Sequence, residues 1–198
     1  MIRDRPALRA VAIAALLLAA SPLHAQHDSA AAHAPQAVHA DHGLLGTHRL
    51  TLGLGHNHVI NSIVGEDGEL KNQALPSWSL NYDYWLSDKW AIGVQTDLII
   101  ESFVIEHGDE ELLEREYPVL VAGVAIFKPF RHFSFVGGLG VEYAKEQTLT
   151  ATRLGVEYGT HLGSNWEAGV AATWDAKWSY YDAWGLNFTV SRLFGGGH

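Results

Sequence analysis

Histidine is concentrated in the first third of the sequence, where imidazole groups could bind a metal ion. Residues 26–46 are rich in Ala, His, Asp and Ser, and neutral imidazole binds Zn²⁺, Cu²⁺ and Ni²⁺. His56 and His58 follow at a spacing that places both rings on one face of a strand. The pattern predicts a solvated polar tail and no cofactor, with weak capture of a divalent metal as the alternative. The candidate ligands are His27, His33, His39, His42, His56 and His58.

A second group of polar residues recurs at alternate positions within apolar stretches. Its cations, Arg153 and Lys177, stand among several carboxylates. Buried charges are costly unless they are paired, hydrated or neutralised by a bound cation. The group therefore predicts either a hydrogen-bonded interior or a narrow pore that prefers cations, since acidic rings attract them. Its members are Asp83, Gln95, Asp97, Glu101, Glu142, Arg153, Glu157, Glu167, Asp175 and Lys177.

The element that positions the first members of this group is a β-hairpin spanning Ser77–Val104. Its even positions are nearly all apolar and its odd positions are mostly small or polar, and an alternation of period two indicates strands. Ser87-Asp88-Lys89 has the composition of a tight turn. The second strand exceeds the usual length of about five or six residues and reaches the roughly 9–11 residues of a membrane-spanning strand. Trp85 and Trp90 flank the turn, where an interfacial aromatic belt would lie.

The same alternation continues along the chain and separates strands by long and short links in turn. The links at 60–75 and 107–114 are long, and those at 128–131 and 163–165 are short. This pattern predicts an all-β fold, an eight-stranded antiparallel up-and-down transmembrane β-barrel with an apolar outer face and polar residues in the lumen. A soluble lipocalin-like barrel is the alternative, but the many bulky aromatics favour lipid outside. The further strands are Thr47–Val59, Arg115–Phe127, His132–Lys145, Ala151–Leu162, Trp166–Trp178 and Ala183–Phe194.

The N-terminus has the features of an export signal. Residues 1–25 contain a basic start, the apolar run Ala10–Ala20 and a small residue, Ala25, at the expected cleavage site. We therefore predict a signal peptide at 1–25, a His-rich flexible periplasmic segment at 26–46, the barrel at 47–194 and a C-terminal tail at 195–198. An even number of strands places both termini in the periplasm.

Composition excludes several classes of function. The chain has no cysteine, which rules out disulfides and thiol catalysis. Its formal net charge of −9 argues against a nucleic-acid partner.

The final predicted strand carries a family resemblance. Gly185–Phe194 has a glycine, alternating apolar residues and a terminal Phe, and resembles the C-terminal β-signal of outer-membrane proteins. Arg192 interrupts that pattern, and Gly195–His198 extend beyond it. With the signal peptide and eight strands, the chain resembles the small outer-membrane β-barrel superfamily, the group of the OmpA transmembrane domain and OmpX. The resemblance implies a bacterial outer membrane, with its lipid, its lipopolysaccharide and the barrel assembly machinery as partners.

These patterns predict a structural or envelope-maintaining role without catalysis. The first alternative is metal-cation capture or a narrow pore that uses the His-rich tail and acidic lumen. A lesser alternative is a lipid A-modifying enzyme, because some small outer-membrane barrels act on lipid A. Such an enzyme needs a nucleophile and a base in contact, and His132 beside Ser134 is the nearest approach in the sequence.

Overall fold

The computed structural model describes residues 43–64, 69–107, 111–163 and 165–196. Every regular element among these residues is a β-strand, and none of them forms a helix long and apolar enough to cross a membrane. The strands are β1 Thr47–Val64, β2 Glu69–Trp85, β3 Trp90–Ile99, β4 Phe103–His107, β5 Glu111–Arg115, β6 Val119–Phe127, β7 Phe133–Tyr143, β8 Leu149–Gly163, β9 Trp166–Lys177 and β10 Tyr181–Gly195.

Eight of these strands form a closed antiparallel barrel. Their order around the wall is β1-β2-β3-β6-β7-β8-β9-β10. The barrel closes because β10 also pairs with β1, from Thr47↔Gly195 to Val59↔Ala183. The predicted eight-stranded up-and-down barrel is therefore confirmed.

Side-chain alternation gives the wall an apolar outer face. Leu52, Leu80 and Phe188 expose 48%, 55% and 72% of their surface, although each sits in the middle of a paired strand. The residues between them turn inward and are mostly small or polar. A soluble barrel would have the reverse arrangement, so the transmembrane assignment is also confirmed.

The first predicted link is shorter than expected because the strands extend into it. β1 and β2 continue as a pair through Ser62↔Lys71 to Val64↔Glu69, after a register shift between Val59 and Ser62. Residues 60–75 are therefore largely strand rather than loop.

The second predicted link is itself a hairpin. β3 ends at Ile99, the chain bends, and β4 and β5 then pair with each other from Phe103↔Arg115 to His107↔Glu111. β4 also pairs with β1 at Ser62↔Ile105. This pairing uses the same edge of β1 that pairs with β10 between Thr47 and Val59. Since β3 lies on the other side of β1 and β2, the β4–β5 hairpin crosses the barrel opening. The predictions of a continuous strand to Val104 and a loop at 107–114 were wrong for this reason.

This crossing places an apolar layer across one end of the lumen, which we call the hairpin end. We call this layer the mouth cluster; in it, inward side chains of the wall pack against the side of the hairpin that faces the lumen. Each residue of the cluster is no more than 9% exposed. Its members are Val59, Leu75, Ile99, Phe103, Ile105, Leu113, Leu149, Tyr181 and Ala183.

The opposite end, here the turn end, carries the links β2–β3, β6–β7 and β8–β9 and both ends of the barrel chain. Trp85 points inward there and is 1% exposed, within a base cluster of Trp85, Ala91, Ala122, Val124, Ile126 and Val136. The prediction that Trp85 belongs to an interfacial belt was wrong, because its odd position on β2 carries it into the lumen. Trp90 does lie outside, 51% exposed, with its ring 4.6 Å from that of Phe127.

Candidate functional site

The lumen between the two clusters is organised around Arg153. Arg153 on β8 and Asp175 on β9 are cross-strand neighbours, and the guanidinium Nε and Nη2 donate to the two Asp175 oxygens at 2.8 Å each. The same group pairs with Asp97 from β3. Its Nη1 donates to Gln95 Oε1 at 3.4 Å. One 1%-exposed cation therefore holds two carboxylates from opposite parts of the wall.

A second arginine, Arg49 on β1, organises the lumen nearer the turn end. Its Nε donates to Asp83 Oδ2 at 2.8 Å, and its Nη2 donates to Glu157 Oε2 at 2.7 Å. Gln95 connects this group to the first, because its amide donates to Glu157 Oε1 at 3.1 Å. Gly93 leaves room for this arrangement because it has no Cβ, and a Cβ there would collide with the Asp83 carboxylate.

The third group lies beneath the mouth cluster and is centred on Glu142. Arg115 Nη2 and the Tyr181 hydroxyl both donate to Glu142 Oε1 at 2.6 Å. Arg115 Nη1 also donates to the backbone oxygen of Gln147 at 2.6 Å. Lys177 Nζ lies 3.5 Å from Glu142 Oε2. The β4–β5 hairpin is thus tied to the wall by a charged hydrogen bond at the end of β5.

The three groups form one polar ladder along the barrel axis. Lys177 connects the group centred on Glu142 to the group centred on Arg153, since its Nζ is 3.5 Å from Glu142 and 4.0 Å from Asp175. Among the described residues, four cations face six carboxylates in this buried region. The ladder runs through Arg115, Glu142, Lys177, Asp175, Arg153, Gln95, Glu157, Arg49 and Asp83, with Asp97 beside Arg153 and Glu167 near the turn end.

Two members of the ladder, Arg49 and Arg115, were missed in the sequence. Arg49 is at an odd position of β1, so the alternation that carries Thr51 inward also predicts its direction. No alternation in the sequence predicts that the Arg115 side chain points inward, because its direction depends on where the β4–β5 hairpin crosses the barrel opening. These two cations reduce the excess of acid that the sequence suggested.

The structure places most of the predicted lumen group inside the barrel. Glu101 is the exception, because it is exposed at the bend after β3, where the alternation has already ended. Glu167 is buried near the turn end, with its Oε1 3.2 Å from His161 Nε2. Inside the barrel lie Asp83, Gln95, Asp97, Glu142, Arg153, Glu157, Glu167, Asp175 and Lys177.

The described histidines of the proposed metal set lie outside the lumen. His56 and His58 share the outer face of β1 with ring centroids 4.8 Å apart, and His58 stacks on Trp184 at 3.9 Å. No group of three or more metal-ligating side chains occurs among the described residues. His27, His33, His39 and His42 lie outside those residues, as do the predicted signal peptide and most of the segment 26–46.

Little open space remains around the ladder. A cavity of about 10 Å³ is lined by Asn57, Asp97, Glu142, Asp175 and Lys177 together with three apolar residues, and this volume is about that of one water probe. A half-open cleft of about 330 Å³ lies at the hairpin end, where residues of β1, β4 and the β9–β10 link meet.

At the turn end, the ammonium group of Lys128 lies over the buried ring of Trp85. Lys128 Nζ lies 5.5 Å from the centre of the Trp85 ring. Burial lowers the pKa of this lysine, and the positive charge of Arg49 adds to that effect, against nearby carboxylates that oppose it. The arrangement neutralises buried charge along the axis, and Lys177 borders both the small cavity and the half-open cleft at the hairpin end.

Comparison with solved structures finds several small barrels. The chain superposes on Ail, the attachment invasion locus protein of Yersinia pestis in complex with the heparin analogue sucrose octasulfate, with a TM-score of 0.51 at 13% identity, covering 76% of this chain and 99% of that one. Neisserial surface protein A matches with a TM-score of 0.51 at 10% identity, covering 75% and 99%. The outer membrane protein OprG of Pseudomonas aeruginosa matches at 0.50 and 12%, covering 77% and 98%. No family model and no curated protein matches the sequence, so these likenesses establish the fold alone.

Proposed function

We propose, from the premise that this chain has the fold of the small eight-stranded outer-membrane β-barrels, that it is a structural, envelope-maintaining and non-catalytic protein of a bacterial outer membrane. The observation that carries this proposal is the polar ladder, which crosses the lumen between two apolar clusters. An eight-stranded barrel is just wide enough for side chains to fill. Here those side chains form a plug.

The ladder supports a plug over a pore on energetic grounds. A conducting pore needs water and weakly bound ions along its axis, whereas Arg153 is 1% exposed and paired with two carboxylates. Removing one partner of such a buried pair leaves an uncompensated charge, which costs about 3–5 kcal/mol. A permeating cation would have to break pairs of this kind in succession.

The orientation we propose follows from the links. Outer-membrane barrels have short periplasmic turns and longer external loops. The turn end would then face the periplasm, together with both termini, and the hairpin end would face outward among lipid and lipopolysaccharide. The barrel assembly machinery would insert the chain through the β10 segment.

Conductance in planar bilayers tests the plug. We expect the full chain, verified as inserted by heat-modifiable gel migration, to produce no steady current under conditions in which a porin conducts. Arg153→Ala is the matched variant, because it removes the central cation and should give brief openings at most. A steady cation-selective current from the unaltered protein would contradict the proposal and favour the pore.

Metal capture is a second candidate because the His56 and His58 rings lie side by side. Two imidazoles leave a metal site incomplete, and the His-rich segment joins β1 at the turn end, about ten residues before His56. The histidine pair and the segment are therefore separate candidate sites. Calorimetric titration of Zn²⁺ and Cu²⁺ into the full chain and into H56A/H58A tests this. Binding at micromolar metal that is weaker in the double variant would support metal capture. No heat of binding in the full chain would exclude it.

Catalysis on lipid has less support. Ser134 is 4% exposed on the inner face of β7, and His132 Nδ1 lies 3.0 Å from the backbone oxygen of Gly159. The serine that came nearest to a nucleophile in the sequence is therefore buried in the lumen, and one ring nitrogen of the nearest base contacts the backbone.

A further inference from the structure

The two ends of the barrel carry opposite surface charge. Among residues whose exposure the structure describes, the hairpin end exposes Glu101, Glu114 and Glu146 against one exposed cation, Lys145. The turn end instead exposes several cations and one carboxylate. The cations are Lys89, Arg131 and Arg192, and the carboxylate is Asp88.

Two of these cations lie on turns that are joined to each other. The backbone N–H of Lys128 donates to the oxygen of Lys89 at 2.8 Å, so the β2–β3 turn and the β6–β7 link form one continuous surface. Lys89 and Arg131 are both exposed on it, and neither forms an ion pair with a carboxylate of the described residues. Asp88 is engaged elsewhere, since its Oδ1 accepts from the N–H of Leu44 at 2.8 Å.

Aromatic side chains lie beside these charges. Phe130 is 64% exposed directly before Arg131, and Trp90 is 51% exposed directly after Lys89. Trp90 packs on Phe127 with ring centroids 4.6 Å apart. Aromatic rings concentrate where acyl chains meet head groups, so the surface combines two features of a membrane interface. We call Lys89, Trp90, Phe127, Phe130 and Arg131 the turn patch.

We propose that the turn patch binds the phosphate of anionic phospholipid head groups in the leaflet it faces. Arginine offers a planar fork of donors that suits phosphate oxygens, and lysine adds a mobile point charge. Trp90 and Phe130 would hold the glycerol and upper acyl region beside them. Basic residues at a membrane surface favour anionic over zwitterionic lipid.

The rest of the surface makes this preference one-sided. Exposed carboxylates at the hairpin end repel phosphate, and the exposed cation there, Lys145, is already 2.9 Å from Glu116. Arg192 adds positive charge to the turn end while it lies 5.1 Å over the Trp166 ring. Selective lipid contact is therefore confined to one rim. The proposal rests on the membrane-spanning fold and is independent of whether the lumen conducts.

The test measures which lipids the protein retains. The full chain is refolded into nanodiscs of equal phosphatidylcholine and phosphatidylglycerol, released in mild detergent, and its retained lipids are counted by native mass spectrometry. We expect enrichment of phosphatidylglycerol for the unaltered protein and for K145Q, the matched exposed cation at the other end. K89Q/R131Q should return the retained lipids to the composition of the mixture, and high salt should do the same because exposed charges are screened.

Two results would overturn the proposal: no enrichment in the unaltered protein, or undiminished enrichment in K89Q/R131Q. Heat-modifiable migration identifies variants that fail to fold. If K89Q/R131Q does not fold, the single variants R131Q and F130A replace it in the same measurement. Purified peptidoglycan is the competing anionic partner. Cosedimentation with it that depends on Lys89 and Arg131, without phospholipid enrichment, would reassign the patch to the cell wall.

Discussion

An apolar cluster lies at each end of the barrel, but the two clusters are built by different means. At the turn end the base cluster is built from the inner faces of neighbouring strands, with Trp85 filling the opening and Leu44 packed against it. At the hairpin end the mouth cluster draws on seven strands and depends on β4 and β5, which leave the wall and cross the opening. The base cluster forms between neighbouring strands of the sheet, whereas the mouth cluster requires a segment that crosses the barrel opening.

The difference indicates which closure can be opened separately. The side chain at the centre of the base cluster belongs to a barrel strand, so the cluster can loosen only with the wall. The β4–β5 hairpin pairs with β1 at only two residue positions, Ser62↔Ile105 and Ile63↔Val104. The mouth cluster, Arg115 and a hydrogen bond from the Glu114 N–H to Glu146 Oε2 at 3.1 Å attach it further. We therefore expect the hairpin end to open without unfolding of the barrel.

The largest effect should come from the ladder that joins the two closures. Arg153→Leu leaves Asp97 without its ion-pair partner and Asp175 with only Lys177, 4.0 Å away. Loss of one partner from a buried pair costs about 3–5 kcal/mol. The measurement is the free energy of unfolding by urea in detergent micelles. Arg131→Leu, at an exposed cation, is the control and should change little. A loss in Arg153→Leu as small as in the control would mean that the ladder contributes little stability.

Trp85→Ala should be nearly as damaging, because it removes the largest side chain of the base cluster. Truncation of a buried Trp typically costs about 3–5 kcal/mol. Trp90→Ala is the matched control on the adjacent strand, and its outward position means that no internal cavity forms. If the two variants lost equal stability in the same micelles, Trp85 would not be closing the lumen.

Arg115→Ala should have a smaller and more local effect. Glu142 keeps contacts with Tyr181 and Lys177, so the loss should stay below the roughly 3–5 kcal/mol of an uncompensated buried charge. Amide hydrogen exchange should rise in β4 and β5 while the paired strands β2 and β3 near the base cluster stay protected. Exchange that rises equally at both ends would contradict the independent opening of the hairpin.

The smallest effect should come from Lys145→Gln, which breaks an exposed pair. A hydrogen bond to Glu116 raises the pKa of Lys145, and the attraction of the same carboxylate adds to it. Because the folded pKa is raised, any stabilisation is present below the ordinary lysine pKa of about 10.4 and is lost as pH rises through the folded value. Exposed pairs contribute little and are screened by salt. Unfolding midpoints should therefore be unchanged at neutral pH, and a clear shift would show that this end is held by surface charge.

Much of the wall was predictable because each strand carries its own pattern. Alternation depends on neighbouring residues only, so it located the lipid-facing side chains and most of the lumen group, including Arg153 and Asp175. It also pointed Arg49 and Trp85 inward. For Trp85 the odd position decides, because the side chain follows the alternation of β2 into the lumen although the composition near the turn is typical of an aromatic belt.

Sequence by itself therefore determined the barrel, its outer face and the residues that fill its middle. Tertiary structure alone decided how the hairpin end closes, since the pairing of β4 with β1 joins segments some forty residues apart. That pairing ends the alternation before Glu101, which leaves this carboxylate exposed, and turns Arg115 onto Glu142. It also requires the extension of β1 beyond Val59. No local periodicity encodes a crossing of this kind, because its stability comes from apolar contacts that form only when the barrel is already closed.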